Sequence, residues 1–105
     1  MHLVHPRDLP EERWEGFPFQ TLLDPEIGGR MGVYRLTITE SNPHVHDELD
    51  QIYIVIRGRG QVMIEDEVRD IEPGCLVHIP RGSRHALTPS DADPVTVYSI
   101  EYGAV

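Results

Sequence analysis

Nine glycines and nine prolines break this 105-residue chain at short intervals, and the runs left between them are rich in β-branched and aromatic residues. A helix of three to four turns needs about 11 to 14 unbroken residues with apolar positions every third or fourth. No stretch has that pattern. Short alternating runs recur about every ten residues: "FPFQTLLD" (17–24), "MGVYRLTIT" (31–39), "QIYIVIRG" (51–58), "GQVMIEDE" (60–67), "EVRDIEP" (67–73), "CLVHIP" (75–80), "RHALTP" (84–89) and "VTVYSIEYG" (95–103). Strands of this length and spacing, with turn residues between, predict an all-β sandwich or small barrel. In "MGVYRLTIT", Tyr34, Leu36 and Ile38 share one face. "QIYIVIRG" and "GQVMIEDE" are expected to form a hairpin, and "DPEIGG" (24–29) a turn. Residues 1–16 are polar and proline-marked; a short extended arm is expected there, with Trp14 as its apolar anchor and at most a helical turn at 10–14.

A chain of 105 residues is expected to form one domain spanning 1–105. The formal charge of −9 repels phosphate backbones and anionic lipid, which argues against nucleic-acid and membrane-surface partners. Cys75 is the one cysteine, so no intramolecular disulfide can form. The first residues lack the apolar core of a signal peptide, and no run approaches the ~18 apolar residues of a membrane span. A cytoplasmic setting is the expectation.

Chemistry concentrates in "NPHVHDELDQ" (42–51). His44 and His46, two residues apart, share a strand face, so their imidazoles can converge. Gln51 follows His46 by five residues, an odd count, so the acidic "DELD" between them must bend or bulge if Gln51 is to join them. A third histidine, His85, follows the turn "IPRGSRH". Three imidazoles and one polar side chain give the donor count of an open metal site rather than a closed structural one. An H-x-H pair by itself is weak evidence; the whole pattern raises it.

Residues 44–89 resemble the two motifs of the cupin superfamily. The first reads H-x-H, three or four residues, Glu, six residues, Gly; here it is His44-Val45-His46, four residues, Gln51, six residues, Gly58. The second reads Gly, five residues, Pro-x-Gly, two residues, His, three residues, Asn; here it is Gly74, five residues, Pro80-Arg81-Gly82, two residues, His85, three residues, Pro89. The 15 residues between Gly58 and Gly74 match the short spacing of small cupins. Ile38 stands where a glycine usually opens the first motif, and Pro89 where Asn closes the second. The departure that bears on chemistry is Gln51 in place of the glutamate ligand.

The resemblance implies a cupin jelly-roll barrel, with the metal motifs within 44–58 and 74–89. It implies one divalent ion per chain on His44, His46, Gln51 and His85, with Fe, Mn or Ni ahead of Zn. It also implies a homodimer. An amide ligand contributes a dipole where a carboxylate contributes a charge, so the site is expected at about +2 instead of +1. Such a metal is held less tightly and is a stronger Lewis acid. The opposing reading is a vestigial pocket in which Gln51 bonds a histidine.

Tyr53 and Val55 share a face with Gln51, and together with Met63, His78 and Tyr98 they are candidates for the pocket wall; each is equally readable as plain core. Asp47, Glu48 and Asp50 are expected at a solvated rim, and Cys75 as a buried, unreactive thiol. Arg35 and Arg84 could meet an anionic substrate, although pairing with surface acids is favoured. The expected function is that of a metal-dependent enzyme on a small anionic or carbonyl-bearing molecule. Oxygen insertion of the dioxygenase kind ranks ahead of isomerisation, because three neutral ligands and a weak fourth leave adjacent positions for both substrate and O₂, and no general base is evident. The alternative is a non-catalytic module that binds or senses a small ligand.

Overall fold

A computed structural model describes residues 1–103. The described strands are β1 (Glu12–Trp14), β2 (Phe17–Leu23), β3 (Met31–Ile38), β4 (His44–Val45), β5 (Leu49–Arg57), β6 (Gly60–Ile64), β7 (Glu67–Ile71), β8 (Leu76–Ile79), β9 (Arg84–Pro89) and β10 (Val95–Gly103). They form two antiparallel sheets, one in the order β1-β2-β3-β10-β5-β8 and the other β4-β9-β6-β7. Neither sheet closes on itself, and the fold is an all-β jelly roll.

Between the sheets lie Tyr53, Val55, Val62, Ile71, Ile79, Leu87, Val95 and Val97, with Leu36, Ile38, Ile64, Cys75 and Val77 packed against them. Each fully buried Val, Leu or Ile stabilises the fold by about 1.5–3 kcal/mol relative to exposure. The alternation that sets this core also sets the site. On β5 the inward residues run Val55, Tyr53, Gln51, and on β10 they run Val95, Val97, Ser99; all six are buried. Both strands pass from an apolar floor to a polar upper end, and Cα pairing sets Tyr53 against Ser99 and Gln51 against Glu101.

Three expectations change. The strands β5 and β6 are not a hairpin: β5 pairs with β10 and β8, while β6 pairs with β7 and β9. The chain crosses between sheets at Gly58, whose φ is +85° and where a Cβ would lie 2.5 Å from the Pro94 carbonyl oxygen. Only glycine fits a left-handed, crowded position of this kind. Secondly, the N-terminal segment is more than an extended arm, because β1 pairs with β2 in register Trp14↔Phe17. Its helical turn is a 3-10 turn at Pro6–Asp8 instead of 10–14, and Gln20 Nε2 donates to the Pro6 and Leu9 carbonyls (2.6 and 3.1 Å), tying the segment to β2. Thirdly, "DPEIGG" contains a four-residue helix, α1 (Pro25–Gly28). Asp24 caps it by accepting from the Glu26 amide at 2.8 Å, and Gly29 ends it in the left-handed region.

Candidate metal centre

The histidines come from the four-stranded sheet. His44 on β4 and His85 on β9 are Cα partners across the ladder, which points both rings the same way. His46 lies just past the end of β4, and its carbonyl accepts from the Gly82 amide at 2.7 Å, fastening the bend to the turn that delivers His85. Ring centroids are 4.2 Å apart for His44–His85, 4.9 Å for His44–His46 and 5.5 Å for His46–His85. One nitrogen from each ring lies within 4.8 Å of the other two.

Hydrogen bonding decides which nitrogen faces the cluster. His44 Nδ1 meets the Asn42 carbonyl at 2.6 Å, and His85 Nδ1 meets the Ser83 carbonyl at 3.0 Å. A carbonyl can only accept, so each Nδ1 carries a proton and donates it, leaving Nε2 bare in the neutral ring. The same arrangement orients metal-binding histidines generally. Burial pulls His85 down to about 4, with the Ser83 bond opposing and the neighbouring His44 and His46 adding to the fall. Burial, then His44, also lowers His46. Neutral imidazoles with free lone pairs are the form a metal needs.

Gln51 faces the histidines from the six-stranded sheet and is only 3% exposed. The bend at Asp47 and Glu48, between β4 and β5, corrects the odd spacing. Its Nε2 donates to Ser99 Oγ (2.8 Å) and to Glu101 Oε1 (3.3 Å). The reversed amide would set its carbonyl oxygen against the Glu101 carboxylate, so these two acceptors fix the orientation. Gln51 Oε1 is then left buried without a partner, and so is His85 Nε2. Two lone-pair atoms that lack a donor suit a cation, since leaving such groups unmet costs about 1–3 kcal/mol each. The residues present therefore fit a divalent metal.

His44, His46 and Gln51 line a cavity of about 360 Å³ together with Trp14, Phe17, Phe19, Tyr34, Leu36, Thr37, Ile38, Glu40, Asn42, Leu49, Tyr53, Leu87, Ser99 and Glu101, while His85 is buried against the His44 and His46 rings outside that lining. Burial pushes the Glu101 carboxyl up. Burial, reinforced by Glu101, also raises the Tyr53 phenol, which stays protonated.

Of the pocket candidates, Tyr53 lines the cavity and Val55 sits deeper, in the core. Met63 is half-buried between Val68 and Ala86, and Tyr98 is half-buried on the opposite face of β10; neither lines the cavity. His78 is exposed on the edge strand β8 and is no pocket donor. Arg35 and Arg84 also lie outside the lining, and Cys75 is half-buried against the core. At the rim Asp47 and Glu48 are exposed, while Arg81 donates to Asp50 from its backbone and guanidinium and holds that carboxyl below its usual range. Ser99 and Glu101 were missed. Their signal was present: on "VTVYSIEYG" they continue the face of Val95 and Val97, two polar groups on an otherwise apolar stripe.

Residues 36–101 match the family model described as the cupin domain. Among curated proteins, an uncharacterized protein of Aquifex aeolicus (strain VF5) is 34% identical over 47 residues, a match spanning 45% of this chain and 39% of that protein. Among solved structures, a protein of Thermotoga maritima described as a predicted oxalate decarboxylase superimposes with a TM-score of 0.86, at 17% identity over 97% of this chain and 99% of the other. KdgF from Halomonas sp. gives 0.75 at 18% identity, over 93% and 90%. A cupin 2 conserved barrel domain protein from Salinispora arenicola CNS-205 gives 0.73 at 17% identity, over 99% and 88%. At these identities the likeness is one of fold.

Proposed function

We propose, for a chain that belongs to the cupin domain family, that it holds one divalent metal on His44, His46, His85 and Gln51 and acts on a small carbonyl- or carboxylate-bearing molecule. The observation that carries this reading is the pair of partnerless buried atoms, Gln51 Oε1 in the cavity lining and His85 Nε2 in the ring cluster it forms with His44 and His46. When bound, the metal supplies Lewis acidity toward a carbonyl or carboxylate oxygen. Three neutral rings and an amide leave that centre about one charge more positive than a glutamate ligand would, which favours an anionic oxygen donor. Fe, Mn and Ni are the leading ions, with Zn as the alternative.

Of the two grounds for ranking oxygen insertion first, open positions for substrate and O₂ and the lack of a general base, the second does not hold. Glu101 removes that argument, because its carboxylate lines the cavity within reach of Gln51. That carboxylate, raised by burial, is the group in the lining able to take up or return a proton, so proton transfer beside a carbonyl becomes the leading reaction class. Oxygen insertion is the second reading.

Thermal-shift assays of untagged, chelator-stripped protein with Fe²⁺, Mn²⁺, Ni²⁺ and Zn²⁺ test the metal. Stabilisation by at least one ion, lost in His44→Ala, is expected; no shift with any ion refutes the reading. Loaded protein is then offered diketones in deuterated water with dissolved oxygen. Deuterium incorporation marks proton transfer and oxygen uptake marks insertion, while binding without either marks a non-catalytic module.

A further inference from the structure

The chain has seven aromatic residues other than histidine, one Trp, two Phe and four Tyr. Five of them, Trp14, Phe17, Phe19, Tyr34 and Tyr53, line the cavity that His44 and His46 line. Four belong to the outer strands β1, β2 and β3, so they form a wall on the sheet edge. Within it Phe19 and Tyr34 meet edge to face at 6.1 Å, and the Trp14 ring meets His44 edge to face at 5.4 Å. The wall therefore runs directly onto the metal-binding rings. Trp14 is 45% exposed at the mouth, leaving much of its ring surface for a ligand to cover.

Charge points the same way. The chain has no lysine, and none of its nine arginines lines the cavity. The charged residues in the lining are Glu40 and Glu101, both acids. A carboxylate or phosphate placed away from the histidines would find no cation there and would face two like charges. A volume of about 360 Å³ lies at the small end of the range for ligand sites, about 300–1,000 Å³.

We propose that the molecule bound here has a flat, uncharged aromatic body of one or two rings, with its oxygen donors at one end only, directed at the histidines. This rests on the metal reading, which supplies the anchor for that oxygen end. Stacking on the wall and the lack of any second anionic group set the selectivity. Sugar acids, dicarboxylates and phosphorylated metabolites are disfavoured.

The test uses the full chain loaded with Zn²⁺, which is redox-silent, and three diketones with one chelating group. They are 2,4-pentanedione, 1-phenyl-1,3-butanedione, and the latter with a carboxylate on the far ring position. Calorimetry is expected to rank the phenyl compound at least tenfold tighter than pentanedione and at least tenfold tighter than its carboxylated form. Emission from Trp14, the only tryptophan, changes on binding the phenyl compound. Phe19→Leu, which keeps apolar volume but removes the ring, lowers the ratio of phenyl-compound affinity to pentanedione affinity. A Zn²⁺-loaded chain that is indifferent to the ring, or that takes the carboxylated compound equally well, overturns this inference alone. Where Zn²⁺ does not load, Ni²⁺ takes its place in the same series; a chain that takes up none of Fe²⁺, Mn²⁺, Ni²⁺ and Zn²⁺ overturns the metal reading and this inference with it.

Discussion

Gln51→Glu restores the ligand type usual at this position, and simple charge counting makes it a pure gain in metal affinity. The neighbouring strand says otherwise. Gln51 stands opposite Glu101 across β5 and β10, with Nε2 donating to Glu101 Oε1 at 3.3 Å. The substitution replaces that donor with a carboxylate, so two like charges face each other in a buried site. At an effective dielectric of about 20 their repulsion is about 5 kcal/mol at this separation. Proton uptake by one of the pair relieves part of it, each unit of pKa shift representing about 1.4 kcal/mol. Urea denaturation of the metal-free variant is expected to show a loss of about 2–3 kcal/mol near pH ~7, mostly recovered near pH ~5 as the shared proton becomes available. Adding Glu101→Gln returns an amide donor to the pair and removes the repulsion. Competition against a chelating indicator is then expected to show metal bound at least about tenfold tighter by the double variant than by wild type, a difference of about 1.4 kcal/mol. Gln51→Glu alone captures only a fraction of that gain. If the single variant is as stable as wild type at both pH values and binds metal as tightly as the double variant, Gln51 and Glu101 do not form the pair described.

Two further outcomes concern His85 and Gly58. In the metal-free protein, stability falls as pH drops from about 6.5 toward about 4, because the unfolded His85 accepts a proton near the first value and the folded one only near the second. His46, also lowered, adds to the fall, and His85→Asn flattens the window; thermal melts that stay level between pH ~6.5 and ~5 refute this. Gly58→Ala puts a methyl group 2.5 Å from the Pro94 carbonyl oxygen at a φ of +85°. A loss of about 2 kcal/mol or more in urea denaturation is expected, and wild-type stability would show that the sheet crossing tolerates a Cβ there.

The histidines were legible because their grouping is local. H-x-H places two rings on one face by alternation, and the "IPRGSRH" turn delivers the third to the neighbouring strand. Gln51 was legible as a position, through its spacing to Gly58, but its orientation was not. That depends on Ser99 and Glu101, which lie 48 and 50 residues further along the chain. Pairing of β5 with β10 is a long-range choice that no local pattern specifies. The false hairpin has the same origin. Gly58 and Gly60 look like turn residues between two good strands, yet here glycine serves a crossing between sheets where backbone approaches backbone. His78 was misread because β8 is an edge strand with one face open, so alternation gave its period but not which face was inside.

The two walls of the cavity have separate mechanical owners. The histidines hang on β4, its following bend and β9, whereas the Trp14–Phe19 wall belongs to a terminal hairpin that pairs on one side only, through β2 to β3. Changes in that hairpin bear on the aromatic wall of the cavity and, through Trp14, on the His44 ring, while His46 and His85 are held by other elements. Substitutions in residues 12–23 therefore act on the shape of the cavity mouth while two of the three clustered rings keep their supports.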